Sequence, residues 1–195
     1  MISQIILASK SDVRKKILEA NQIRCIVEHS NVDEDSIKEA LLKEGATPTI
    51  ISKKLAELKA NKISQKFTEE IVLGADSIID LDGEIISKPE NRLEASKILE
   101  KLNGKTHQLV SSVCISKDGS MIWNYTEKAS LTMKQMSKIE LETYLAKISD
   151  EKLYAYNVYQ IEGEGRSLFS RVEGEKDTIM GLPVKKIKEY LSNYK

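Results

Sequence analysis

The chain has 195 residues, enough for a substantial core in a single domain, and its 30 basic residues balance 30 acidic ones. That balance supplies no electrostatic reason to expect nucleic acid or a membrane surface as a partner. Of the basic residues 25 are lysine and five arginine, so each arginine stands out as a candidate for bidentate anion binding.

Cys25 and Cys114 lie in apolar segments without CxxC spacing, which argues against a structural zinc or a disulfide framework and suits a reducing compartment. The opening "MISQIILASK" is too short an apolar run for a signal peptide, and no segment approaches membrane-spanning length. A cytoplasmic protein is expected.

In chain order, residues 4–8 read as a short buried strand. Ser11 caps the helix that follows, with Asp12 in its first turn and Val13, Ile17, Leu18 and Ala20 on its buried face. "IRCIVEH" is a second strand, and "NVDEDS" leads into a polar helix over 37–43. Thr47-Pro48 pairs an N-cap with a first-turn proline, opening a helix that carries Ile51, Leu55, Ala56, Leu58, Ala60 and Ile63 at helical spacing. "EEIVLGA" is a continuous apolar strand of the kind found mid-sheet, ending at Asp76. "SIIDL" and "EIIS" flank Asp82-Gly83, a two-residue hairpin turn. "NRLEASKILEKLNG" is an amphipathic helix stopped by Gly104, and two long strands follow over 106–116 and 121–133, joined by "KDGS". A helix over 138–147, the glycine-bearing "QIEGEGRSLF" and a C-terminal helix opened by "TIMGLPV" complete the chain. Hairpins and βα units together predict an α/β fold with a mixed sheet and flanking helices.

Three aspartates crowd "IVLGADSIIDLDGEII". From Asp80, "DLDGE" approaches the signature of haloacid-dehalogenase-type phosphatases, but Glu84 stands where Thr or Val is needed and the flanks look like hairpin arms; the turn reading fits every residue. Asp76 differs, because a carboxylate closing a buried strand is costly without a partner or a job. Gly74 beside it permits close approach to the backbone. The segment "LASKSDVRKK" places Ser9, Ser11 and Arg14 at a strand end and helix start, where amide groups favour anions. Lys59 lies close to the apolar face of its helix, an odd place for a solvated charge. His29 and His107 occur singly, with no metal-ligand spacing.

Taken in order, Leu7-Ala8-Ser9-Lys10-Ser11-Asp12-Val13-Arg14, Asp33-Glu34, Leu55-Ala56-Glu57-Leu58-Lys59-Ala60, Gly74-Ala75-Asp76, Ser87-Lys88-Pro89, Gly104-Lys105-Thr106-His107, Tyr159-Gln160-Ile161-Glu162-Gly163 and Gly181-Leu182-Pro183 resemble the motifs of the Maf family of nucleoside triphosphate pyrophosphatases, nearly end to end. The resemblance implies an inosine-triphosphatase-like, two-lobed architecture with a cleft, a homodimer, and hydrolysis of a nucleoside triphosphate to monophosphate and pyrophosphate with a divalent metal, Mg or Mn. It makes Asp76 the general base, with Lys59 and Lys88 catalytic, Ser9 and Arg14 substrate-binding, and Glu34 with Asp76 the metal ligands.

Three positions where the family's branches differ carry Val13, Ser77 and Glu162 here. In the dTTP/UTP branch they are Arg, Thr and Gln; in the 7-methyl-GTP branch they are Trp, Gln and Glu. Val13 donates nothing and an ionised Glu162 only accepts, so dTTP and UTP are expected to be poor substrates. A nucleotide-binding regulator of cell division with little catalysis is the rival from another class, kept open by the altered opening motif. The phosphatase using Asp80 is a third.

Overall fold

The computed structural model describes residues 4–194. Its first elements are β1 (Ile5–Ala8), α1 (Asp12–Ala20), β2 (Cys25–Val27), α2 (Glu34–Lys43) and α3 (Pro48–Ser64). Next come β3 (Val72–Leu81), β4 (Glu84–Ile86), α4 (Arg92–Leu102), β5 (Thr106–Lys117) and β6 (Ser120–Met133). The chain closes with α5 (Lys138–Lys147), α6 (Asp150–Tyr156), a short 3-10 turn at Glu164–Leu168, β7 (Phe169–Glu173), α7 (Lys176–Ile179) and α8 (Val184–Asn193). The strands form one mixed sheet in the order β2-β1-β3-β5-β6-β7, with β4 also paired to β3. The mixed α/β expectation is met.

The residues divide into two compact units. The first comprises the chain up to Ser77, Val110–Lys128, and Glu175 onward; the second comprises Ile78–Leu109 and Ala129–Gly174. In the first unit β1 runs parallel to both β2 and β3, with Ile6 opposite Ile26 and Val72. Alternate β1 side chains enter two different apolar clusters. Ile5 and Leu7 pack with Ile17, Leu18, Val184 and Ile187, whereas Ile6 and Ala8 pack with Ala56, Ala60 and Ile63 of α3. A strand alternates its side chains between faces, so two covered faces require an unbroken apolar run. In the second unit α4 and α5 bring Ala95, Leu99, Leu141 and Leu145 into the interior, along with Tyr159 and Phe169.

Local signals placed most ends correctly. Ser11, Thr47 and Ser137 cap α1, α3 and α5 through hydrogen bonds to backbone amides, and Pro48 takes the first turn of α3. The polar helix starts earlier than expected, because Asp33 caps it through Ser36 and frees Glu34 for its first turn. At the hairpin, Asp82 and Gly83 both have positive φ, 52° and 91°, and Asp80 Oδ1 accepts from the Gly83 amide at 2.7 Å. Asp80 is therefore a hairpin-arm residue, paired with Ile85, whose side chain braces the turn. One expectation is corrected: the strand does not end at Asp76. β3 runs unbroken through it to Leu81, because Ala75, Ile78, Ile79 and Leu81 are buried and Asp76 finds a partner in place.

Candidate functional site

The site in the first unit starts from a glycine. A Cβ built on Gly74 would lie 2.2 Å from the Ala56 carbonyl oxygen and 2.7 Å from the Ala60 nitrogen. Only a residue without a side chain lets β3 approach the α3 backbone so closely. That approach places Lys59, on the inward face of α3, against Asp76. Lys59 Nζ lies 2.8 Å from Asp76 Oδ1 and 2.9 Å from Glu34 Oε1. Both members of the central pair are buried, Lys59 at 6% exposure and Asp76 at 5%. Asp76 Oδ2 is buried and has no hydrogen-bond partner in the protein.

The electrostatics of this group follow from burial and charge. Desolvation pushes the Asp76 carboxyl above its ordinary range, Lys59 and Arg14 oppose that push, and Glu34 adds to it. Glu34 is held below its ordinary value, because Lys59, Lys38 and Arg14 together outweigh its desolvation. The backbone is held too: Ser52, fully buried on α3, directs its hydroxyl between the carbonyls of Asp76 and Val110, at 3.3 and 3.4 Å.

Arg14 reaches into the same group from α1. Its Nε donates to the Gly181 carbonyl at 3.0 Å, Nη1 to Ser9 Oγ at 3.2 Å and to the Ala75 carbonyl at 3.0 Å, and Nη2 to Ser77 Oγ at 3.1 Å. Burial pulls the guanidinium below its usual value, while Asp76 and Glu34 hold it up. Ser9 Oγ also accepts from the Ser11 amide at 3.2 Å. With two donors on its oxygen, Ser9 keeps its own proton to give. A hydroxyl donor, a buried ammonium and a carboxylate with one idle oxygen thus share a small region.

Six of the predicted residues are brought together here: Ser9, Arg14, Glu34, Lys59, Asp76 and Ser77. Val13 lies in the same unit but packs its side chain against the apolar cluster of Ile17, Leu18 and Val184. Lys88 and Glu162 belong to the second unit. Lys88 is exposed in the loop after β4, and Glu162 accepts from Gln160 Nε2 at 2.9 Å through its Oε1. Ser52, Ser111 and Thr178 were not foreseen. Ser52 was legible in principle, as a serine at helical spacing with Leu55, Ala56 and Lys59 on a buried face. Ser111 was legible as one of two serines inside "LVSSVCI", both fully buried. Nothing local singled out Thr178.

The family model described as "Maf-like protein" matches residues 4–194. The chain belongs to the Maf-like family. A Pelagibacter ubique (strain HTCC1062) protein called nucleoside triphosphate pyrophosphatase is 78% identical over 191 residues, covering 98% of each chain. One of the same name from Ruegeria sp. (strain TM1040) is 38% identical, covering 98% of this chain and 96% of the other. A Brucella abortus biovar 1 (strain 9-941) protein called 7-methyl-GTP pyrophosphatase is 35% identical over 184 residues, covering 94% and 92%. Among solved structures, the Staphylococcus aureus Ham1 protein aligns at 13% identity and a TM-score of 0.43, covering 98% of this chain and 100% of that one.

Proposed function

We propose that this Maf-like chain hydrolyses a nucleoside triphosphate to the monophosphate and pyrophosphate, with Asp76 as general base. One observation carries the reading: a buried carboxylate with one oxygen bound to Lys59 and the other, Oδ2, without a partner. Such an atom is expensive unless it serves a ligand or a reaction. Its raised pKa also brings the carboxylate nearer to the value a base needs. The names of the relatives support the same activity.

In the step itself, a water oxygen bonds to the α-phosphorus and gives its proton to Asp76. The bond from that phosphorus to the α–β bridging oxygen breaks, and pyrophosphate leaves with the electron pair. Lys59 and Lys88 supply cationic stabilisation, and Ser9 donates its hydroxyl to a phosphate oxygen. Lys59 also keeps Asp76 and Glu34 from repelling each other.

The residues fit a hard divalent cation, Mg or Mn. Asp76 Oδ2 is an oxygen donor without a protein partner, and Glu34 offers a second carboxylate close by. Among the described residues no group of three or more His, Cys, Asp and Glu is placed to hold a metal ion. Asp76 and Glu34 would therefore hold it jointly with substrate phosphates, in the manner usual for Mg. When bound, the cation neutralises charge on the phosphates.

Val13, Ser77 and Glu162 are the proposed selectivity set, and they favour substrates other than dTTP and UTP, 7-methyl-GTP and CTP among them. A homodimer is part of the same proposal and is read from sedimentation mass. Pyrophosphate release from a triphosphate panel with Mg or Mn tests the whole. Asp76→Asn should reduce turnover by at least about a hundredfold with an intact circular dichroism spectrum; wild-type turnover in that variant removes Asp76 as the base.

A further inference from the structure

Arg14 spends its hydrogen-bonding capacity on the protein itself. A guanidinium carries five N–H donors, and four of Arg14's are committed, to Gly181, Ser9, Ala75 and Ser77. The bidentate grip that makes arginine a strong phosphate ligand needs two N–H groups along one edge. Arg14 has a single N–H left, on Nη2. Every two-donor edge of the fork already faces a carbonyl or a serine.

Those acceptors share a location. Ala75 and Ser77 are the residues on either side of Asp76, and Gly181 belongs to the turn between α7 and α8. Gly181 has φ +92°, and a Cβ there would lie 2.9 Å from Ser77 Oγ and 3.5 Å from Arg14 Nη2, so the turn is seated tightly on the pair.

The far end of the network is directional. Ser111 Oγ donates to the Thr178 carbonyl at 2.8 Å, which uses its only proton. In the 3.1 Å contact between the two hydroxyls, Ser77 is therefore the donor and Ser111 the acceptor. The Ser77 proton is given to Ser111, with the Gly181 carbonyl a longer alternative acceptor at 3.5 Å, and its lone pairs are left for Arg14. Thr178 Oγ1 in turn donates to Glu127. The chain from Arg14 through Ser77 and Ser111 to Thr178 is satisfied without any ligand.

We propose that Arg14 is a positioning residue: it holds the Asp76 segment of β3 and the Gly181 turn together, and turns the Ser9 hydroxyl outward as a donor, rather than clamping the triphosphate. This rests on the pyrophosphatase reading and changes the part Arg14 plays in it. Misplacing a reacting group by about an ångström costs on the order of a hundredfold in rate, so the loss falls on kcat.

The test compares wild type with Arg14→Lys, Arg14→Gln and Ser9→Ala. Arg14→Lys keeps the charge but cannot span the four acceptors. It should lower kcat about a hundredfold with KM within about threefold of wild type, and Arg14→Gln should show the same division. Ser9→Ala, which removes a proposed substrate donor, should raise KM. Amide hydrogen exchange of peptides covering residues 73–78 and 178–183 should speed up in both Arg14 variants, with the circular dichroism spectrum retained in the lysine variant. A rise in KM beyond about tenfold with kcat preserved would make Arg14 a clamp and overturn the proposal. Unchanged exchange in both peptides overturns it as well. If the wild-type enzyme releases no pyrophosphate from any triphosphate, the functional reading fails, and the exchange measurement still decides whether Arg14 holds these two segments.

Discussion

Asp76 and Lys59 are each too buried to stand alone. A buried ion pair need not stabilise a protein relative to apolar residues, but removing one partner strands the other charge and costs about 3–5 kcal/mol. Lys59→Met should therefore lower the unfolding free energy by about that amount at neutral pH, beyond any effect on turnover. Urea unfolding measures it, and a change below about 1 kcal/mol would mean the pair carries little of that burden. His107 is a second buried polar residue, in the other unit. Its Nε2 lies 2.6 Å from the Tyr159 hydroxyl, Nδ1 has no partner, and Tyr159 and Phe169 flank the ring. Burial pushes its pKa from 6.5 down to about 4. The unfolded chain thus takes up a proton near pH 6.5 that the folded chain refuses until about pH 4. Stability that depends on a neutral ring is complete above the first value and is lost as pH falls towards the second, by roughly 3 kcal/mol in all. His107→Gln should flatten this part of the Tm–pH curve; an unchanged acid slope would assign it to other groups.

Between elements, the decisive contact is α3 against β3. α3 has good local reasons to form, with Thr47 as cap, Pro48 in the first turn and an apolar face of Ile51, Leu55, Ala56, Ala60 and Ile63. Ala56 and Ala60 are small where Gly74 is smallest, so backbone meets backbone and the longer Lys59 reaches past to Asp76. Gly74→Ala has no flexible neighbour to push aside, because the nearest atoms belong to the α3 backbone. It should lower Tm and the unfolding free energy by about 1–3 kcal/mol and reduce kcat as Lys59 withdraws. Wild-type stability in that variant would show that the helix can shift at no cost. The hairpin of β3 and β4 is local by contrast. Asp82→Ala places an ordinary side chain at φ 52° and should destabilise the turn by about 1 kcal/mol without changing the chemistry at Asp76.

At the scale of the molecule, the proposed substrate selection is tested at Glu162, which lies in the second unit. Glu162 Oε1 accepts from Gln160, and the remaining capacity of the ionised carboxylate is acceptor only. Glu162→Gln supplies an amide donor in its place. It should raise kcat/KM for UTP and dTTP relative to CTP and 7-methyl-GTP, by roughly tenfold for one exchanged hydrogen-bond match. A panel whose rank order does not move would take Glu162 out of substrate selection. Among the described residues no helix is long and apolar enough to cross a membrane.

The sequence by itself determined much of this. Helix caps, the Asp82-Gly83 turn and the continuous apolar run of β1 all depend on neighbours within a few residues, so a short window holds their physics. The ordered motifs from Leu7 to Pro183 also carry the resemblance to the Maf-like family within the sequence itself. Two things needed the tertiary structure. Asp76 sits within a strand rather than at its end, because its partner arrives from a helix that the local pattern cannot dock. Arg14 looked like an anion ligand beside a helix start, and only the positions of Ala75, Ser77 and Gly181 show how few of its donors remain. Which hydrogen bonds a side chain has left to offer depends on neighbours distant in the chain, and folding alone brings those neighbours within reach.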